Sequence, residues 1–226
     1  MTKLYIVATP IGNLGDFSSR AIETLKQVRF ILCEDTRNTQ KLLNHFEIKT
    51  PTISYHHHSK IHKVDKVLEL LEKGNDLALV SDAGTPGIAD PGNKLIQEVI
   101  EKIGDSVEII PISGPSALTT VASIAGFSMD RFLFLGFPPA KNKRKKFFEQ
   151  VATSQYPVIL YESPHRILKT LNDLSACTEL SSVQVVVSRE LTKKFETTYR
   201  GTPEQVIDQL KNSTIKGEFV IVVNNC

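Results

Sequence analysis

The sequence predicts an α/β protein of two lobes, with a mostly parallel N-terminal sheet and a mixed C-terminal sheet. Three observations predict it. Short β-branched runs alternate with amphipathic stretches up to Gly126, which implies right-handed crossovers. Beyond Gly126 the apolar runs come closer together, which implies mixed pairing. Glycine- and proline-rich turns follow several of the runs, as in sheets that bind ligands at their carboxyl edge. A boundary near Ser128 gives lobes of residues 1–127 and 128–226, with a cleft between them.

The elements follow in order. "KLYIVAT" is a strand ended by Pro10 and Gly12. "DFSSRAIETLKQV" is a helix with Ala21, Ile22, Leu25 and Val28 on one face, capped by Asp16 or Ser18. "RFILCEDT" is a strand, "NTQKLLNHFEI" a helix and "PTISYHH" a brief strand. "KVDKVLELLEKG" is a helix stopped at Gly74. "DLALVSD" reads as a strand buried on both faces, followed by the helix "GNKLIQEVIEKIG", the strand "VEIIPIS" and the small-residue helix "PSALTTVASIAG". In the second lobe "RFLFLGF", "YPVILYES", "SVQVVVSREL", "FETTYRG" and "GEFVIVV" are strands. "PPAKNKRKKFFEQVA", "PHRILKTLNDLSA" and "TPEQVIDQLKN" supply its helices.

The 226 residues are 41% hydrophobic and 23% charged, enough to bury a sizeable core. The net charge of +2 gives no global field for nucleic acid, so any basic surface must be local. Cys33, Cys177 and Cys226 are odd in number and far apart, which argues against a disulfide framework and a zinc site. No apolar run approaches a membrane span. These features read as a cytoplasmic, reduced protein. "YHHHSKIH" places His58 and His62 four apart, but Ser59 and Lys60 mark a loop rather than a metal site, so no metal is expected.

Three loops, "TPIGNLGD", "SDAGTPGIADPG" and "ISGPSAL", converge at one edge of the sheet as a ligand cradle; any one alone would be a plain turn. Neither a phosphate-binding lysine loop nor a spaced G-x-G-x-x-G is present, which disfavours a polyphosphate nucleotide. Short polar side chains and backbone amides suit a neutral or zwitterionic ligand with an adenine and a carboxylate.

Eight motifs occur in order along nearly the whole chain: "LYIVATPIGNLGD", "CEDTRNTQKLLNHF", "VSDAGTPGIADPG", "SGPSAL", "RFLFLGFPP", "LYESPHRI", "VSRELTKKFE" and "GEFVIVV". Together the chain resembles the small-subunit ribosomal RNA 2′-O-methyltransferases of the tetrapyrrole (corrin/porphyrin) methylase superfamily. The resemblance implies S-adenosylmethionine as methyl donor, a cytidine ribose of 16S ribosomal RNA as acceptor, a homodimer, and a donor held in the interlobe cleft. It also implies donor contacts at Pro10, at Ala83, Gly84, Thr85 and Ile88, at Ser116 and Ala117, and at Tyr161 where the second lobe closes. Such proteins often continue beyond "GEFVIVV" with a small helical domain, whereas Cys226 stands four residues after Val222; if that extension helps grip RNA, other residues are expected to do so here.

A ribose hydroxyl is a poor nucleophile, so a base or a cation near it helps. Asp35 and Arg37 in "EDTR" are the candidates, for the proton and for a phosphate. A helix cap and a salt bridge explain the same residues. Asp82 and Glu162 are weaker alternatives that hold loops instead. "KNKRKK" carries five basic residues in six, and Lys143, Arg144, Lys145 and Lys146 are the candidate RNA contacts, extended by Arg166, Arg189, Lys193 and Lys194; a solvated loop is the alternative. Two other functions compete: a small-molecule tetrapyrrole methylase, and a non-catalytic RNA-binding module.

Overall fold

The computed structural model describes residues 1–55, 61–177 and 183–224. The chain divides into two units, Met1–Ser116 and Ala117–Cys226. The division falls ahead of the boundary read near Ser128. The helix that follows Ser116 packs on the last strand, and the Arg200 guanidinium donates to the Ala125 and Ile124 carbonyls just past its end. Those contacts make it part of the second unit.

The first unit is built from β1 (Thr2–Val7), α1 (Ser19–Gln27), β2 (Phe30–Cys33), α2 (Thr36–His45), β3 (Thr52–Ser54), α3 (Ile61–Glu72), β4 (Leu77–Val80), α4 (Gly92–Lys102) and β5 (Val107–Ile112). Its five strands lie in the order β3-β2-β4-β1-β5, and every pairing is parallel. Alternation along each strand sends apolar side chains to both faces. Leu4, Leu32, Leu77 and Leu79 pack with α3 and α4 through Val67, Leu71, Leu95 and Val99. Val7, Ile31, Ala78 and Val80 pack with α1 and α2 through Ala21, Leu25 and Leu43. β4 is buried at all four positions, as a strand covered on both faces must be. Of the two caps open to α1, Ser18 serves: its side chain accepts from the Ala21 N–H at 3.1 Å.

The second unit holds α5 (Ala117–Ser123), β6 (Leu133–Gly136), α6 (Arg144–Ala152), β7 (Val158–Glu162), α7 (Ile167–Ser175), β8 (Gln184–Arg189), β9 (Thr197–Gly201), α8 (Pro203–Lys211) and β10 (Phe219–Asn224). Its strand order is β6-β7-β10-β8-β9. Only β6 and β7 run parallel; the other pairings are antiparallel, so the sheet is mixed. A single core joins α6, α7 and α8 to β7, β8 and β10 through Phe148, Leu171, Leu174, Val206, Leu160 and Ile221. Thr202 starts α8 with a capping box, reciprocated by Gln205. No helix among the described residues is long and apolar enough to cross a membrane.

Candidate active site

The carboxyl ends of β2, β4, β1 and β5 are neighbours in the first sheet, and hydrogen bonds tie the loops after β2, β1 and β5 to the loop after β4. After β2, the Asp35 N–H donates to Asp82 Oδ1 at 3.2 Å, joining the β2 loop to the β4 loop. After β1, the Thr9 N–H donates to the Gly84 carbonyl at 2.9 Å, and the Gly84 N–H returns a bond to the Thr9 carbonyl at 3.1 Å. The buried Thr9 hydroxyl donates to the Ser81 carbonyl at 3.1 Å, and the Ser81 hydroxyl reaches the Gly84 carbonyl at 3.1 Å. After β5, the Pro115 carbonyl accepts from the Thr85 hydroxyl at 3.3 Å. Asp90 Oδ1 closes the same loop, accepting from the Gly87 N–H at 2.8 Å and the Gly92 N–H at 2.7 Å.

Gly84 is the position that permits this knot. Its φ of +80° is left-handed, and a Cβ there would stand 3.3 Å from Ile11 Cγ2 and 3.6 Å from the Pro115 carbonyl. Three loops therefore come together at a position that carries no side chain of its own. Ala83 and Ile88 are exposed on this edge, Thr85 and Ser116 are half-buried, and Pro10 is buried. Ala117 opens α5. The edge offers backbone polar groups and mostly short side chains, which allow a ligand to approach closely. Thr9 and Ser81 pin it, and neither stands out in the sequence; a hydroxyl at each strand end ahead of a Gly- or Pro-rich turn is the signal that was there to read.

Asp35 caps α2: its Oδ1 accepts from the Arg37 N–H at 2.8 Å. The cap half of the structural alternative is therefore present, while Arg37 makes no ion pair among the described residues. Arg37 instead lines a cavity of about 510 Å³ with Thr36, Gln40, Lys41, Asn44 and Thr52. Arg37, Gln40, Lys41 and Asn44 recur at i, i+3, i+4 and i+7, so they share one exposed helix face of two cations and two amides. The core face of α2 is Thr39 and Leu43. Behind this corner burial pushes the Cys33 thiol up; a hydrogen bond with Thr39 opposes that, and the charges of Asp82 and Asp35 add to it.

The remaining residues lie on the second unit. Tyr161 of β7 sits in an aromatic row, 4.9 Å from the Phe134 ring and 5.6 Å from the Phe137 ring. Burial pushes its phenol up, against a hydrogen bond with the Leu118 backbone. Lys143, Lys145 and Lys146 are exposed around the start of α6. The expectation for Arg144 is corrected. It is 7% exposed, pairs with Asp173 at 2.6 Å, donates to the Pro139 carbonyl and the Thr170 hydroxyl at 2.9 Å each, and covers the Phe148 ring. Those contacts turn its guanidinium inward, so it offers nothing to RNA. Arg166, Arg189 and Lys193 are likewise engaged, with Glu162, the Thr214 carbonyl, and Glu190 with Glu218 respectively. Lys194 is exposed beside the Phe195 ring. Glu162 holds a loop, accepting from the Ser163 N–H at 2.7 Å, as does Asp82. His58 lies outside the described residues, as does the side chain of His62.

Residues 3–207 match the family described as Tetrapyrrole (Corrin/Porphyrin) Methylases. A Synechocystis protein named Ribosomal RNA small subunit methyltransferase I is 48% identical, the match covering 97% of this chain and 78% of that protein. A Hydrogenobaculum protein of the same name is 46% identical, covering 98% and 95%. Among solved structures, diphthine synthase matches with a TM-score of 0.74 at 15% identity over 98% of this chain and 90% of that one. Cobalt precorrin-4 methyltransferase matches with a TM-score of 0.65 at 16% identity over 98% and 94%. At such identities the structural likeness is one of fold alone.

Proposed function

From the membership of this chain in the tetrapyrrole (corrin/porphyrin) methylase family, in its ribosomal RNA small subunit methyltransferase I branch, we propose that it transfers a methyl group from S-adenosylmethionine to a ribose 2′-hydroxyl of a cytidine in 16S ribosomal RNA. The observation that carries the donor half is the knot of loops around Gly84, where the loops after three strands are joined by backbone and hydroxyl hydrogen bonds. The acceptor half is supported by relatives 42–48% identical and named for ribosomal RNA, and by the exposed cations Arg37 and Lys41 on α2.

The donor supplies an activated methyl group on a neutral leaving sulfide. The chain's own residues align and deprotonate. Pro10, Ala83, Gly84, Thr85, Ile88, Ser116, Ala117 and Tyr161 are the proposed donor contacts. Asp35 Oδ1 is committed to the α2 cap, so Oδ2 is the proposed acceptor of the ribose proton. Arg37 and Lys41 are the proposed seat of a neighbouring phosphate. Lys143, Lys145 and Lys146 are proposed to follow the RNA backbone elsewhere. A homodimer and a cytoplasmic location, where ribosomes are assembled, complete the proposal.

The test incubates the protein with tritiated S-adenosylmethionine and small ribosomal subunits that lack the methyl group. The expected result is tritium in the RNA. Tritium only in an added porphyrinogen would move the chain to small-molecule methylation, and RNA binding without transfer would make it a binding module.

A further inference from the structure

The segment from Gly136 to Lys146 carries an exposed aromatic ring and a set of lysines on a backbone that is held from below. Phe137 is 52% exposed, while its row partners Phe134 and Tyr161 are half-buried. Its ring meets Tyr161 edge-on, at 66°, so one ring supports the other. Two arginines then fix the turn that follows. Arg166 Nη1 donates to the Pro138 carbonyl at 3.1 Å, and Arg144 Nη1 donates to the Pro139 carbonyl at 2.9 Å. Each arginine is itself anchored: Arg166 on buried Glu162 at 3.0 Å, Arg144 on Asp173 at 2.6 Å and on the Thr170 hydroxyl at 2.9 Å. The Thr170 hydroxyl donates in turn to Glu162 Oε2 at 2.7 Å, which joins the two anchors. Two prolines stiffen the same turn.

A phenylalanine ring left half in water forgoes part of the stabilisation that burial would bring. Here a clamp of paired charges, anchored on buried Glu162 and Arg144, holds the turn that carries the ring. Lys141, Lys143, Lys145 and Lys146 follow it, all exposed. Among the described residues only Lys145 has an acidic partner, Glu149 at 3.9 Å. An apolar ring beside unpaired cations fits a ligand with aromatic faces and an anionic backbone. We propose that Phe137 is a stacking platform for an unpaired base of the RNA substrate, with Lys141, Lys143, Lys145 and Lys146 tracking the phosphates on either side, a reading that requires RNA as the substrate. The Arg144 and Arg166 clamp positions the platform without touching RNA, so its ordering cost is met before binding.

The experiment measures filter binding of small-subunit RNA lacking the methyl group, at several salt concentrations, to the full-length protein. Phe137→Ala should weaken binding roughly tenfold with the salt slope unchanged, because stacking releases no counterions. Phe137→Trp should restore it. Lys143→Glu with Lys146→Glu should flatten the slope instead. Donor affinity, sedimentation mass and melting temperature of Phe137→Ala should match the wild type. Unchanged RNA affinity in Phe137→Ala would overturn the platform while leaving the RNA reading intact. A fall in donor affinity would assign the ring to the donor, and a change in mass would assign it to a second copy; either also overturns the platform. A wild type with no salt-dependent RNA binding would remove the RNA reading, and the platform with it.

Discussion

Asp35 shows how one side chain can be assigned two tasks and how chemistry separates them. It is the N-cap of α2, and a cap needs only an oxygen acceptor near the Arg37 N–H. Asparagine caps as well as aspartate but does not take a proton at neutral pH. Asp35→Asn should therefore keep the melting temperature and the donor affinity while slowing methyl transfer by roughly 10²–10⁴-fold; unchanged turnover, measured by tritium incorporation, would return Asp35 to capping alone. The choice was visible in "EDTR", and the cap was legible from its place before a helical run. The partner that sets its surroundings was not legible, because Asp82 lies 47 residues away and reaches the Asp35 N–H only through adjacent strands. The same limit applies to Thr9 and Ser81, whose bonds cross from β1 to β4.

At the scale of elements, α6 shows where a charge run misleads. Lys143, Arg144, Lys145 and Lys146 are alike in sequence, yet Arg144 turns inward because Asp173 and Thr170 of α7 wait for it. Arg144→Met should cost about 2 kcal/mol in urea unfolding. That is below the ~3–5 kcal/mol of a fully buried pair, because the Asp173 side chain is 35% exposed. Glutamate at Lys143, Lys145 and Lys146 should leave that stability nearly unchanged and weaken RNA binding. The turn leading into β10 carries a pH dependence. At Glu190 burial alone would raise the carboxyl, but bonds from Lys193 and from the Glu218 N–H, with the charges of Lys193 and Arg189, outweigh it and hold it below the ordinary value of 4.5. At Lys193 burial works downward, and its bonds to Glu190 and Glu218 hold it above 10.5. A carboxyl depressed in the folded state stabilises above its unfolded value, and that contribution is lost as pH falls through the folded one. Melting temperature should thus drop below about pH 4.5, and less steeply in Glu190→Gln; equal slopes would remove Glu190 from the acid response. Gly217, at φ +88°, is needed beside it because a Cβ would collide with the Glu190 carboxylate.

For the molecule as a whole, the alternation of strands and helices was enough to name two α/β units, one sheet parallel and one mixed, because side-chain period and run length are local properties. Where one unit ends was not local: α5 continues the pattern of the first unit in sequence but packs on β10, more than ninety residues on. Strand order was not local either, and it is strand order that lines up the carboxyl ends of β2, β4, β1 and β5. The loops at those ends were legible as a cradle from their glycines and prolines; that they are bonded into one surface around Gly84 needed the structure. That surface as the donor seat is the central claim, and a crystal structure of the protein with S-adenosylmethionine tests it most directly. The account predicts the donor lying along Ala83, Gly84, Thr85 and Ser116, with its methyl group turned toward Asp35. A donor bound elsewhere, with these loops covered by the protein itself, would contradict it.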